Sequence, residues 1–223
     1  MAAMTLIPSP ARQMRLPLRA EAVAERLVVS GCNENAVRTL STWPTGVERV
    51  LALAGPTGCG KSLIGRVWAE RLGAYALDGA EAALIDPLEL EGRPILLDEA
   101  QDADDETLFH LINLAQSGGG ALLLVSRNAP REWKVDLRDL RSRLDGLRLI
   151  TVGPPDDQVL AAILRARFAE RSIAPAGEVI EYLLRRIDRS PAAAVAVVDQ
   201  LDAEHRPVTR ALARQVLDRT PAA

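Results

Sequence analysis

No apolar run in this sequence is long enough to span a bilayer, and the N-terminal stretch lacks the apolar core of a secretory signal. A membrane-embedded or secreted protein is therefore not expected, and the cytoplasm is the expected compartment. Cysteine is nearly absent. Cys32 and Cys59 are too few and too poorly spaced for a disulfide framework or a cysteine metal site. Net positive charge is missing too: the formal charge of −3 argues against a generic nucleic-acid coat, although it leaves room for a local basic patch. Internal repeats and low-complexity tracts are also lacking. What remains, with 48% hydrophobic and 26% charged residues in 223, is the composition of a globular chain with one sizeable domain or one plus an appendage.

Lysine is the most telling scarcity. The chain uses arginine nearly everywhere, and Lys61 and Lys134 are its two lysines. Lys61 stands in Gly55-Pro56-Thr57-Gly58-Cys59-Gly60-Lys61-Ser62, which fits the phosphate-loop pattern G-x-x-x-x-G-K-[ST] directly after an apolar run. The glycines let successive N–H groups converge on one anion, and the helix that follows turns its positive end toward it. A compact ammonium fits such a nest where a planar guanidinium does not. Residues 55–62 are thus expected to bind a nucleoside di- or triphosphate, with Ser62 offering a hydroxyl to Mg2+.

Short apolar runs at 50–53, 74–77, 94–97, 121–125 and 147–152 alternate with helical spacing at 61–72, 104–116 and 138–144. That alternation predicts an α/β fold with five parallel strands sandwiched by helices. After Gly153-Pro154-Pro155 the pattern is helical throughout, at 156–171, 176–186, 191–201 and 210–217. A phosphate-loop domain followed by a small all-helical lid is the layout of an AAA+ P-loop NTPase. We divide the chain into a leader (1–22), a nucleotide-binding α/β domain (23–153) and the lid (154–223).

Ile95-Leu96-Leu97-Asp98-Glu99 resembles a Walker B box. Asp98 is expected to hold Mg2+ through water and Glu99 to orient or deprotonate an attacking water. Ser126 ends the fourth strand, where a polar sensor touches the γ-phosphate, with Asn128 as the competing candidate. Charge segregates further on. Asp86 to Glu106 holds nine acidic residues and one arginine, whereas Arg127 to Arg148 holds seven basic and four acidic ones. Within the basic stretch, Arg143 of Leu140-Arg141-Ser142-Arg143-Leu144 is the candidate arginine finger, a cation that enters a neighbour's pocket and stabilises charge on the departing phosphate.

Taken together, the phosphate loop, Leu96-Leu97-Asp98-Glu99, Leu140-Arg141-Ser142-Arg143-Leu144 and Leu183-Leu184-Arg185-Arg186-Ile187-Asp188-Arg189 resemble the DnaA-related AAA+ family, and most closely its short Hda (HdaA-like) members, regulators that inactivate DnaA. The resemblance covers about residues 12–218. It implies that Val28-Val29-Ser30-Gly31-Cys32-Asn33 packs on adenine, with Val28 and Val29 against the base. It also implies that Gln13-Met14-Arg15-Leu16-Pro17-Leu18 docks on the DNA polymerase sliding clamp through Gln13, Met14, Leu16, Pro17 and Leu18, with Gln13 anchoring a polar rim, Pro17 stiffening the segment and Leu16 and Leu18 entering an apolar pocket. DnaA and the clamp are then the expected partners, and the Arg143 face could also join copies of this chain. DnaA itself continues past its lid into a DNA-reading domain. This sequence stops at Ala223, so no specific DNA binding of its own is expected.

One departure stands out. Where the family carries a sensor-2 arginine, this chain has Ala192-Ala193-Ala194, and Arg189 could reach the phosphates instead. Weak or no intrinsic ATPase activity is expected. The alternative is an AAA+ motor of the helicase-loader or transposition-helper kind, which Glu99 favours.

Overall fold

Strand polarity in this chain follows from which faces are buried. The computed structural model describes residues 27–118 and 120–219, and within them five strands, β1 (Val50–Ala54), β2 (Tyr75–Asp78), β3 (Pro94–Asp98), β4 (Ala121–Ser126) and β5 (Arg148–Thr151), pair in the order β2-β3-β4-β1-β5. Every pairing is parallel, with Val50 opposite Leu122, Leu51 opposite Arg148, Tyr75 opposite Ile95 and Pro94 opposite Ala121. Central β1 and β4 are buried at every position, which is why they read as unbroken apolar runs. Edge strands β2 and β5 carry polar, exposed positions.

Period-2 alternation sends neighbouring residues to opposite faces. Ile95, Leu97, Leu122 and Leu124 face one core, closed by α3 (Asp105–Ser117) and α4 (Arg138–Asp145). Leu51, Leu53, Leu96, Leu123 and Val125 face the other, closed by α1 (Glu34–Thr42) and α2 (Lys61–Leu72). Each fully buried leucine among them contributes roughly 1.5–3 kcal/mol of transfer free energy. No apolar period marks an element at 34–42. There α1 buries just Ala36 and Leu40, too few positions for a visible period, and it is held by tertiary contacts: Trp43 stacks on Trp68 with ring centroids 5.2 Å apart, and Arg71 donates to the carbonyl of Leu40 at 2.9 Å.

The link between β2 and β3 is too short for a long helix and is built from two 3-10 turns, Gly79–Leu84 and Pro87–Leu90. Beyond β5 come α5 (Asp157–Glu170), α6 (Gly177–Leu184), α7 (Pro191–Ala203) and α8 (Arg210–Arg219), which close a separate apolar core around Leu164, Phe168, Leu183 and Val198. Side-chain caps define their starts: Asp156 for α5 and Ser190, which accepts from the Ala193 amide at 3.1 Å, for α7. Among the described residues no helix is long and apolar enough to cross a membrane. The leader residues proposed for clamp docking, Gln13, Met14, Leu16, Pro17 and Leu18, lie outside the described residues.

Candidate nucleotide-binding site

The phosphate loop leaves the C-terminal end of β1, which lies between β4 and β5 in the sheet. Gly58 and Gly60 have φ of 78° and 93°, a left-handed backbone that side chains with a Cβ adopt only with strain. Gly55 is required for a different reason. A Cβ there would lie 2.6 Å from the Val152 carbonyl oxygen and 2.7 Å from the Cys59 sulfur. The turn closes on itself through the Cys59 amide, which donates to the Pro56 carbonyl at 3.2 Å. The amides of Gly58, Gly60 and Ser62 are not consumed by the turn's own hydrogen bonds, and α2 begins at Lys61 with no side-chain cap. Thr57 is exposed beside them. Lys61 is 4% exposed, and no ion pair joins it among the described residues. A buried ammonium without a carboxylate, facing unused amides at a helix start, is electrostatically suited to an anion. Cys59 is buried, and desolvation pushes its thiol up from its ordinary value, so its role is packing.

Asp98 ends β3, two strands from β1, and sheet order brings it to the loop. The Ser62 hydroxyl donates to Asp98 Oδ1 at 3.1 Å, and the Glu99 amide donates to the same oxygen at 3.1 Å. A cavity of about 730 Å3 lined by Ser62, Arg66, Asp78 and Asp98 opens here. These oxygens fit a hard cation such as Mg2+ beside a polyphosphate. Gly55, Lys61, Ser62 and Asp98 are therefore brought to the same end of the sheet.

Glu99 is placed otherwise. It adopts a left-handed φ of 48°, and its Oε2 accepts from Gln101 at 2.7 Å and from Arg127 Nε at 2.9 Å. Arg127 also lies 3.5 Å from Asp102. Burial pushes the Glu99 carboxyl up, but the hydrogen bonds from Gln101 and Arg127 and the charges of Arg127 and Lys61 outweigh it, leaving the carboxyl below its ordinary value. A carboxylate so engaged is a weak base. The Ser126 hydroxyl, wholly buried, donates its single proton to the Asn128 carbonyl at 2.8 Å, and Trp133 donates to the same carbonyl at 3.2 Å. In this arrangement Ser126 has no proton to offer a phosphate.

The 28–33 segment reaches the same end of the sheet. Gly153 donates to the Cys32 carbonyl at 2.9 Å, one residue beyond the Val152 that abuts Gly55. Buried Asn33 holds the segment's shape, donating to the Val28 carbonyl and accepting from the Ser30 amide, each at 2.9 Å. Val29 is half exposed and Val28 partly so, leaving apolar surface for a base. Asp156 joins this segment to the lid. Its Oδ1 caps α5 through the amides of Gln158 at 3.1 Å and Val159 at 3.0 Å, and Ser30 and Cys32 lie near enough to favour its charged form. Burial raises the Asp156 carboxyl, and those donors more than offset it, so it sits below its ordinary value.

On the lid side, a Cβ on Gly58 would meet the Pro191 ring at 3.0 Å, so the N-terminus of α7 abuts the phosphate loop. Arg189 lies just before it but pairs with Asp157 at 2.9 Å, beside a cavity shared with Gly31 and Gln158. Arg143 is not brought to the loop. It donates to Gln116 and lies 5.0 Å over the Phe109 ring, on α3. Arg141, its neighbour, is bound to the carbonyls of Pro130, Arg131 and Trp133. Sequence reasoning missed Asn33 and the Gln101–Arg127 pair. A signal for Asn33 existed in the Ser30-Gly31-Cys32-Asn33 turn; for Arg127 there was none, because its partner lies on the adjacent strand's end.

No protein-family model matches the chain. Among curated proteins it is similar to the chromosomal replication initiator protein DnaA of Thermomicrobium roseum, 30% identical over 133 residues, which is 55% of this chain and 28% of that protein. It is also similar to DnaA of Chloroflexus aggregans, 32% identical over 98 residues, or 42% and 20%. The chain thus spans about a quarter of the length of these relatives. Among solved structures, domain III of the Thermotoga maritima replication initiation protein DnaA superposes with a TM-score of 0.69 at 18% identity, covering 92% of this chain and 98% of that one. DnaA bound to AMPPCP and single-stranded DNA gives 0.64 at 18%, covering 86% and 66%, and a Thermotoga maritima RuvB variant gives 0.59 at 14%, covering 89% and 69%. With a phosphate loop, an Asp98–Ser62 pair, a five-stranded sheet in this order and a helical lid, the chain has the AAA+ P-loop NTPase fold of DnaA domain III, and its sequence is similar to that of DnaA over about half of its length.

Proposed function

We propose that this chain is an Hda-like regulator of replication initiation that holds ADP or ATP as a conformational ligand and acts on the nucleotide of a neighbouring DnaA. In its own pocket the amides of Gly58, Gly60 and Ser62 would receive phosphate oxygens, and Lys61 would neutralise them. Val28 and Val29 would lie against the base. Ser62 and Asp98 would hold Mg2+, which supplies charge neutralisation when bound. The nucleotide's effect is carried to the lid through Asp156 and through the Gly58–Pro191 contact. Weak hydrolysis by the chain itself is supported by the engagement of Glu99 with Gln101 and Arg127.

The observation that carries the trans reading is the position of Arg143. Phosphate loop and Asp98 lie at the C-terminal edge of the parallel sheet, whereas Gln116, which Arg143 contacts, ends the helix leading to the N-terminal edge of β4. Such a cation serves a neighbour's pocket better than its own. DnaA as partner rests on family resemblance, and a sliding clamp as tether rests on residues 13–18, which would raise the local concentration of the chain beside DNA.

The test is hydrolysis of ATP pre-bound to DnaA, measured with this protein and with or without DNA-loaded clamp. Arg143→Ala should keep clamp retention and lose the stimulation; stimulation equal to the parent's would sink the finger assignment. Gln13→Ala with Leu16→Ala should abolish retention on immobilised clamp, and unchanged retention would remove the tether. A second reading, an AAA+ motor of the helicase-loader or transposition-helper kind, is favoured by the presence of Glu99. Steady ATP turnover stimulated by single-stranded DNA and indifferent to the clamp would establish it instead.

A further inference from the structure

On the lid, away from the nucleotide site, α6 and α8 bring together three arginines, two of which have no carboxylate partner among the described residues. Tyr182 of α6, Arg186 just beyond it, and Arg210, Ala211 and Arg214 of α8 line a cavity of about 450 Å3. The guanidinium carbons of Arg186 and Arg210 lie 4.7 Å and 5.4 Å from the Tyr182 ring centroid. Neither arginine has an ion pair among the described residues, whereas Arg214 is paired with Asp218 at 3.5 Å across exposed surface. The electron-rich ring draws both cations to it, and both line the same cavity, where an outside anion could meet them together. The start of α8 adds to the field. Thr209 takes the Leu212 and Ala213 amides, so those of Arg210 and Ala211 stay unused at the positive end of a ten-residue helix.

We infer that this cavity is a second anion site, separate from the nucleotide pocket, and that it seats the phosphodiester backbone of DNA without reading sequence. Three features select that ligand. Guanidiniums pair with phosphate oxygens through parallel N–H bonds, and Arg210 and Arg214, one turn apart, extend the cationic surface along a helix face. The Tyr182 ring is 9% exposed and already overlaid by the two guanidiniums, so it offers no free face for stacking a base. Among the described residues the exposed large apolar side chains (Val29, Val47, Leu84, Leu88 and Leu137) all lie elsewhere, so the cavity's own lining offers none to a lipid surface. A chain with net charge −3 thereby keeps one local surface for a polyanion.

The experiment is fluorescence anisotropy of a labelled DNA duplex of arbitrary sequence, titrated with the full chain over a KCl series. Removing two phosphate contacts in Arg186→Ala with Arg210→Ala should lower affinity roughly tenfold and flatten the log–log salt slope by about 2. Nucleotide affinity should be unchanged. Arg186→Lys should retain part of the binding through charge alone. Tyr182→Phe should retain all of it, because the buried hydroxyl has no hydrogen-bond partner and takes no part in holding the cations. Unchanged affinity and slope in the double variant would overturn the inference. So would retention on phosphatidylglycerol vesicles without duplex binding, which would make the patch a lipid contact, or full displacement of duplex by pyrophosphate at matched ionic strength, which would make it a small-anion site.

Discussion

Arg127 Nε donates to Glu99 Oε2 at 2.9 Å, joining the residue after β4 to the residue after β3 at the lip of the nucleotide pocket. Gln101 takes the same oxygen and also accepts from the Arg127 amide at 3.3 Å, so three residues share one network. A carboxylate bound this way can neither orient a water through that oxygen nor accept a proton readily. Arg127→Ala should free it. ATP hydrolysis by the purified chain is then expected to rise about tenfold, a modest share of what a positioned base supplies, and Glu99→Gln in the same background should cancel the rise. Phosphate release is the measurement, and a rate unchanged by Arg127→Ala would show that Glu99 is not restrained in this way.

Lys61 gives a prediction with two readouts. Lys61→Ala should weaken ATP binding about a hundredfold, in line with losing charge-assisted bonds worth roughly 2–3 kcal/mol, and Lys61→Arg should not restore it because a planar fork does not fit the nest. Thermal stability without nucleotide should stay level or rise, since the ammonium is buried with no ion-pair partner among the described residues. Calorimetric titration and a melting curve check the pair. A large fall in the melting temperature would mean that the ammonium has a structural partner.

Asp156 should matter to both domains. Asp156→Ala removes the α5 cap and the carboxylate beside Ser30 and Cys32, and is expected to cost about 1–2 kcal/mol. Asp156→Asn keeps an acceptor and should cost less. Because the folded carboxyl lies below its ordinary 3.8, its contribution is fully present above the unfolded value and is lost as pH falls through the lower folded value. Urea unfolding between neutral pH and pH near 3 should therefore show a smaller acid-side loss in Asp156→Ala than in the parent. Equal losses would contradict the linkage.

Gly55→Ala tests the close approach of the loop to β5. The added methyl would stand 2.6 Å from a backbone oxygen, so backbone must move. Expected are destabilisation of about 1–3 kcal/mol and loss of nucleotide binding, seen by denaturant titration and by a fluorescent ATP analogue. Wild-type affinity in this variant would show that the loop has slack that the geometry does not suggest.

Where chemistry is carried by adjacent residues, the sequence was readable. Gly55–Ser62 needs glycines and a lysine at set intervals, and the loop's shape follows from those eight residues alone. Strands β1, β3 and β4 were legible because burial on both faces leaves unbroken apolar runs, and Lys61–Leu72 was legible from its helical spacing. Helix α1 was not, because its hold is a Trp43–Trp68 stack across 25 residues rather than a stripe of its own. The Ser126 hydroxyl was likewise unreadable: whether it faces phosphate or the Asn128 carbonyl depends on one side-chain rotation in a buried turn.

By itself the sequence determined that this chain would carry a phosphate loop on a parallel sheet with a helical lid, since local spacing and apolar periodicity act within single elements. Tertiary structure alone decided which residues meet at the ends of those elements. It set Arg127 on Glu99, Asp156 on the 28–33 segment, Pro191 on Gly58 and two arginines on the Tyr182 ring. The physical reason is that strand order, β2-β3-β4-β1-β5, is a property of the packed sheet. Charges distant in sequence become neighbours only when it forms.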